Sequence, residues 1–168
     1  MQYKRIVQRV GRVMKVVAVA VILGLAASKV VDLFTADPQV GHWRTQEARS
    51  AYERAYRDVL AGLPAPDVTR EVKTDYGIVH ALVWNGPDDA GAPVLLMPGR
   101  SSGAPMWAEN LPSWIGQRTV IALDPIGDAG LSAQSMPLGE PADQGAWVSQ
   151  AIDGLGMNTV HVVGHSFG

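Results

Sequence analysis

The sequence contains no cysteine among its 168 residues, and this absence removes several kinds of chemistry. A disulfide framework, a zinc-thiolate site, an iron–sulfur cluster and a cysteine nucleophile are all excluded. Aromatic residues make up only 7% of the chain and charged residues only 18%, whereas 47% of residues are hydrophobic. This composition is that of one ordinary folded domain with a short appendage, and it excludes a long disordered chain.

Basic residues are concentrated at the start of the chain. Residues 1–15 carry five basic side chains and no acidic one, which leaves nine basic against sixteen acidic residues in 16–168 and a net charge of −7 there. The negative net charge of residues 16–168 argues against a protein that binds nucleic acid. The sequence also shows no metal-ligand spacing and no glycine-rich phosphate loop after a strand, so we expect no metal and no cofactor.

The segment after the basic residues is strongly apolar. Val16 to Ser28 has thirteen residues without a charge and is followed by Lys29. One interpretation is a secretory signal, in which the small residues Ala26 and Ser28 precede the cleavage site. The other is a single-pass membrane anchor that runs from Val13 to Phe34, with lysine stems reaching the lipid head groups at its ends.

We favour the anchor for residues 1–34, and a helix of a cytosolic protein fits a run of this composition poorly. In both interpretations the rest of the chain lies outside the cytoplasm, because the cations stay inside. The expected location is a single-pass membrane protein with an extracytoplasmic catalytic domain, or a secreted protein after signal cleavage. The membrane is then a partner through the N-terminal helix.

Residues 35–66 have the composition of a helical connector. Thr45 to Leu63 places apolar side chains at helical spacing, and its opposite face is charged, as in a solvated helix. Pro64 and Pro66 end this helix. We assign the charged face no chemistry.

Residues 67–168 predict a mixed sheet whose later strands are parallel. Val68 to Thr74 and Ile78 to Trp84 are predicted to form a hairpin. Its turn ends in Gly77, at a position where hairpin turns favour positive φ and therefore glycine. Short apolar strands then alternate with helices, which is the order of a parallel sheet covered on both faces. The predicted strands are 94–97, 119–123 and 159–163, and the predicted helices are 106–117 and 142–155.

The last predicted strand runs directly into Gly164-His165-Ser166-Phe167-Gly168. This stretch fits G-x-S-x-G, in which a serine lies on a sharp turn from a strand to a helix and the two glycines allow neighbouring backbone to approach closely. Such a turn presents the hydroxyl at the carboxyl edge of the sheet, where sheets of this kind bind ligands. The alternative is an ordinary strand that ends in a small-residue turn.

A serine nucleophile needs a histidine base oriented by a carboxylate, and it needs donors where the oxyanion develops. The backbone N–H of Phe167 is one expected donor, since it follows the nucleophile. The loop after the third strand, which begins at Pro98, supplies the second expected donor, and by position this is the backbone N–H of Arg100.

The chain at this point resembles the α/β-hydrolase superfamily, in its esterase- and lipase-like group. The resemblance rests on three blocks in family order, VLLMPGRSSGAPMW, TVIALDPIGDAGLS and VHVVGHSFG. Pro98-Gly99 stands where members of the family usually have His-Gly. Asp124 follows the fourth strand and precedes the serine, whereas the family's triad acid comes after it, so we interpret Asp124 as a structural residue.

The resemblance implies an incomplete α/β-hydrolase fold in 67–168 that ends at the nucleophile turn, with the acid and the histidine of the triad beyond Gly168. We therefore expect the front part of a longer enzyme and no hydrolysis by the 168-residue chain alone. The implied activity is attack by Ser166 on an ester or related acyl bond of a small molecule, through an acyl-enzyme. The alternative is a non-catalytic, hydrolase-like binding protein held at the membrane.

Overall fold

A computed structural model describes residues 2–35 and 39–168, with side chains for 14–31 and 39–168. The chain forms two compact units, 1–37 and 38–168. The first unit is the helix α1, Gln2–Thr35. Its stretch Met14–Val31 has a mean hydropathy of 2.1 and is exposed along its length. An apolar N-terminal helix was predicted and is present, and its length and composition suit a membrane span and a signal sequence equally.

The second unit is built on one mixed sheet. Its strands lie in the order β1-β2-β4-β3-β6, with the short β5 paired to β2. The hairpin partners β1 and β2 are antiparallel, whereas β3 runs parallel to both β4 and β6. The strands are β1 Val68–Thr74, β2 Gly77–Trp84, β3 Val94–Met97, β4 Val120–Leu123, β5 Ala133–Gln134 and β6 His161–Gly164.

Helices cover both faces of the sheet at its central strands β3 and β4, which are continuously apolar and buried, whereas the edge strand β6 is largely exposed. On one face the helix α3, Pro141–Gly154, packs Trp147 against the core residues Leu95 and Ile121. On the other face the helix α2, Gln46–Leu60, buries Tyr56 in a second cluster of apolar side chains. Thr45 begins α2 by accepting a hydrogen bond from the N–H of Ala48 at 3.1 Å, as an N-cap residue does.

The predicted helix over 106–117 is wrong. Two short 3₁₀ turns, Ala104–Trp107 and Leu111–Ser113, occupy this region instead. Pro112 has no N–H to donate, and its ring would clash with the carbonyl four residues earlier in an α-helix. Trp107 and Leu111 are nevertheless buried, so the apolar pattern correctly identified residues of the core.

The strand β5 was not predicted, since two residues carry no recognisable periodicity. It pairs antiparallel with the start of β2 at Gly77, which has a φ of +145°. A Cβ at Gly77 would overlap the carbonyl of Ala133. Glycine is therefore required at position 77 for two reasons: its φ is positive, and β5 approaches too closely for a side chain.

Candidate active site

Three loops meet at the carboxyl edge of the parallel strands. Met97, the last residue of β3, pairs in register with Gly164, the last residue of β6, and β4 ends beside them at Leu123. The segments that follow are residues 98–104, 124–131 and 165–168. Because parallel strands share their direction, the sheet brings these three segments together although they are far apart in the sequence.

Ser166 lies on a tight turn immediately after β6. Its φ is 57°, in the left-handed region that residues with a Cβ rarely adopt. The N–H of Gly168 donates to the carbonyl of His165 at 3.0 Å, and the N–H of His165 donates to the carbonyl of Met97 at 3.1 Å. The backbone on either side thus fixes the serine in a conformation that costs on the order of 1–2 kcal/mol.

The glycines two positions before and after Ser166 are required by contact. A Cβ at Gly164 would overlap the carbonyl of Gly168, and a Cβ at Gly168 would overlap the carbonyl of Met97. A side chain at Gly164 would force the turn open, and one at Gly168 would push the turn away from the end of β3. This is the close approach for which the G-x-S-x-G spacing is needed.

The loop 98–104 lies beside the serine. A Cβ built on Gly99 would be 3.2 Å from the Cβ of Ser166, so the two backbones are nearly in contact. The guanidinium carbon of Arg100 is 4.9 Å from the centre of the Phe167 ring, a cation–π distance. Among the described residues, neither the N–H of Arg100 nor that of Phe167 donates to another protein group.

The hydroxyl of Ser166 is exposed and has no hydrogen-bond partner in the described part of the chain. None of the four histidines is hydrogen-bonded to it there. His42 and His161 are exposed in other segments, His80 is buried against Asp124, and His165 is the neighbour of the serine. No base for Ser166 is therefore present among the residues 2–35 and 39–168.

Asp124 is completely buried, and its carboxylate is surrounded by donors. Its Oδ1 accepts from the N–H of Ala104 at 2.7 Å, and its Oδ2 accepts from the N–H of Leu131 at 2.8 Å. The hydroxyl of Tyr56 and the Nδ1 of His80 each lie 3.0 Å from Oδ2. We call these four groups and Asp124 the Asp124 cluster.

Burial, and then the nearby Asp124 carboxylate, raise the pKa of the Tyr56 hydroxyl far above its ordinary value. The same two causes raise the pKa of Tyr52, one turn earlier on α2, to about 12. Both phenols therefore remain protonated at physiological pH. Tyr56 can act towards Asp124 only as a hydrogen-bond donor.

Asp124, His80 and Ser132 have the residue types of a catalytic triad, but their contacts differ from those of one. The hydroxyl of Ser132 accepts from the backbone N–H of His80 and donates to the backbone carbonyl of Asp124. It does not contact the imidazole in either bond. The interpretation of Asp124 as a structural residue agrees with these contacts.

A cleft of about 1030 Å³ opens next to the serine turn. Its lining includes residues from all three loops: Arg100 and Ser101 from the loop 98–104, Asp128 from the loop after β4, and Phe167 and Gly168 from the serine turn. Its remaining wall is largely apolar and includes Ile126, Leu138, Trp147, Val148 and Val162. Ser166 itself is not among the lining residues, whereas its neighbours Phe167 and Gly168 are.

No family model matches the chain. The carboxylesterase YbfK of Bacillus subtilis (strain 168) is 34% identical over 122 residues, which are 73% of this chain and 40% of that protein. The chain belongs to the α/β-hydrolase superfamily. The crystal structure of that carboxylesterase, at 30% identity, superposes with a TM-score of 0.64 over 70% of this chain and 40% of its own.

A naproxen esterase of Bacillus subtilis superposes with a TM-score of 0.67 at 26% identity, over 76% of this chain and 44% of that esterase. The chain thus spans about 40% of the length of the curated relatives that it matches. This fold was predicted from the sequence and is confirmed. Its mixed sheet and flanking helices are those of an α/β-hydrolase that carries an additional apolar helix at its N-terminus.

Two residues of this α/β-hydrolase were missed as parts of the site region. Tyr56 lies within the predicted helix Thr45 to Leu63 and His80 within the predicted strand Ile78 to Trp84, and neither residue was assigned a role. The sequence did carry one signal, since an aspartate directly after a buried strand must find donors if it is itself buried. Which residues supply those donors depends on elements 68 and 44 positions away.

Proposed function

We propose that Ser166 is the nucleophile of a hydrolase that cleaves carboxylic esters. The observation that carries this proposal is the φ of 57° at Ser166, on a turn directly after β6 that is closed by the tightly packed glycines Gly164 and Gly168. A strained backbone at a residue without structural contacts is typical of a functional position. The similarity to carboxylesterases supports the choice of an ester as the bond attacked.

The serine Oγ would attack the carbonyl carbon of the ester while its proton passes to a histidine base. The negative charge formed on the carbonyl oxygen would be stabilised by the N–H groups of Arg100 and Phe167, which are not used elsewhere in the described structure. The alcohol then leaves with the proton from the histidine. Water adds to the acyl-enzyme, the acid is released, and Ser166 regains its proton.

The histidine and its carboxylate follow the nucleophile in the chain order of this superfamily. We therefore propose that residues beyond Gly168 supply them. The 168-residue chain alone is then expected to show no hydrolysis that depends on Ser166. The residues 2–35 and 39–168 contain the nucleophile, the two donors and part of the substrate cleft.

The lining of the cleft favours an ester with an apolar acyl or alcohol group. Trp147, Leu138 and Ile126 offer apolar surface, and Arg100 and Asp128 add one charge of each sign to the lining. We also propose that α1 anchors the protein in a membrane with the catalytic unit outside the cytoplasm. The basic residues before Met14–Val31 support that orientation.

Labelling with a fluorophosphonate, which reacts with activated serines, tests the nucleophile in the full gene product. We expect one probe per protein on the peptide that contains Ser166, and none in Ser166→Ala. Ser135→Ala is the matched control, because Ser135 is exposed and joins its neighbours through its backbone N–H. A folded protein that is not labelled at Ser166 contradicts the proposal and favours the non-catalytic binding protein.

A further inference from the structure

Asp124 connects two of the three loops at the site. Its Oδ1 holds the end of the loop 98–104 through Ala104, and its Oδ2 holds the end of the segment 124–131 through Leu131. One buried carboxylate thus fixes the loop that carries Arg100 and the loop that carries Asp128. No side chain of the serine turn takes part in these bonds.

The two loops lie directly against this carboxylate. A Cβ at Gly103 would be 2.5 Å from Oδ1 of Asp124, and a Cβ at Gly130 would be 2.6 Å from its Cβ. Gly130 also has a φ of +146°. Because there is no room between loops and carboxylate, a change in the orientation of Asp124 would move the backbone of both loops.

Tyr56 is the member of the cluster that comes from outside the sheet and its loops. It lies on α2 and donates to Oδ2, and its ring is packed edge-on to that of His80 at 6.1 Å between centroids. Tyr56 is 4% exposed, so water cannot readily replace its hydroxyl as a donor. The helix α2 therefore contributes one of the bonds that orient the carboxylate.

The loop 98–104 has few other attachments. The N–H of Ser101 donates to Asp128 at 2.8 Å, and the hydroxyl of Ser102 donates to the carbonyl of Gly99 within the loop. The bond from Ala104 to Asp124 is the buried attachment of the loop to the body of the protein. The position of the Arg100 N–H then depends on how firmly that attachment is held.

We propose that Asp124 is a positioning residue for the loop 98–104, and that the Tyr56 hydroxyl on α2 holds its carboxylate in the orientation that fixes the loop. The consequence for catalysis rests on the proposed function, since it requires the Arg100 N–H to bind the oxyanion. The structural part of the inference does not require any activity.

The test compares Tyr56→Phe with Tyr52→Phe in the full gene product. Both variants remove one hydroxyl from α2 and keep the ring, and the rings of Tyr52 and Tyr56 lie 6.1 Å apart. Amide hydrogen exchange of the loop is the first measurement. We expect Tyr56→Phe to accelerate exchange of the hydrogen-bonded amides of the loop, Ser101 and Ala104, by about tenfold, the effect of weakening a bond to a charged group, and to leave β3 and β4 unchanged.

Ester hydrolysis is the second measurement. With p-nitrophenyl acetate we expect a severalfold lower kcat and a nearly unchanged KM in Tyr56→Phe, because a displaced oxyanion donor affects the transition state more than substrate binding. Tyr52→Phe should match the wild type in both measurements. A purely structural role would change melting temperature and leave kcat of the folded protein unaltered.

Unchanged exchange in 99–104, or equal acceleration throughout the sheet, would overturn the role of Tyr56. Faster loop exchange with an unaltered kcat would overturn the catalytic consequence. If the wild type is not labelled at Ser166, the proposed function has failed, and the exchange experiment still decides whether Tyr56 and Asp124 hold the loop.

Discussion

Asp124 and Ser166 both lie at the carboxyl edge of the parallel strands, but their surroundings are opposite in character. Asp124 follows β4, is completely buried and has four donors around its carboxylate. Ser166 follows β6, is exposed, has a strained φ of 57° and has no partner among the described residues. Chain order already predicts a structural role for Asp124 and a reactive one for Ser166, and the contacts of Asp124 agree with that interpretation.

The difference shows how a structural polar residue is distinguished from a reactive one. A buried carboxylate is tolerated only when hydrogen bonds replace its lost hydration, so its donors are committed to holding it. A nucleophile must keep its lone pairs available, and its strained backbone must be stabilised by neighbouring bonds. The two residues are connected through the loop 98–104. This loop is bonded to Asp124 at Ala104 and lies against Ser166 at Gly99.

The largest expected effect comes from Asp124→Asn. In this variant the NH₂ group of the asparagine side chain replaces one carboxylate oxygen, and in either orientation it faces N–H or O–H donors that it cannot accept from. We expect the folded protein to lose about 3 kcal/mol of stability. Thermal denaturation in a mild detergent should show a melting temperature lower by roughly 10 °C. Asp88→Asn, in an exposed loop, is the control and should change it little. Equal melting of Asp124→Asn and wild type would refute the structural role.

Ser166→Gly is expected to increase the stability of the folded protein, whereas Asp124→Asn decreases it. Glycine adopts positive φ without strain, so the substitution should stabilise the protein by about 1 kcal/mol while removing the reactive hydroxyl. Ser149→Gly, at an exposed position inside α3, should instead destabilise by about 0.5 kcal/mol, because glycine is the poorer helix former. Urea denaturation measures both. Destabilisation by Ser166→Gly would mean that the serine makes contacts that hold the turn.

The smallest effect is expected at Asp143, a carboxylate that is bonded like Asp124 but lies near solvent. The N–H groups of Glu140 and Gly139 and the hydroxyl of Tyr76 donate to it. The bond from Glu140, and then that from Tyr76, lower the pKa of Asp143 below its ordinary value of 3.8. Its contribution to stability is therefore present above pH 3.8 and is lost as the pH falls through the lower, folded-state pKa.

The difference in melting temperature between wild type and Asp143→Asn should then be constant above about pH 5 and should shrink as the solution is acidified below 3.8. Asp153→Asn, near the other end of α3, controls for the loss of a negative charge on this helix. A difference that grows on acidification would contradict the assigned sign.

Much of the fold was predictable because its elements follow local rules. Val94–Met97 and Val120–Leu123 are short apolar runs that are typical of strands covered on both faces, and α3 lies within one residue of its predicted bounds at both ends. The prediction failed where local rules compete, as at 106–117, where proline overruled an apolar pattern of helical spacing. The two-residue β5 exists only because Gly77 lets it approach β2.

The sequence by itself determined the alternation of strands and helices, the apolar N-terminal helix and the position of the G-x-S-x-G turn, since each depends on residues close together in the chain. Only the tertiary structure decided that Tyr56 and His80 would reach Asp124, and that Gly99 would lie against Ser166. These contacts join segments 44 to 68 residues apart in the Asp124 cluster. Their geometry follows from the register of parallel strands and the packing of α2, which no local pattern encodes.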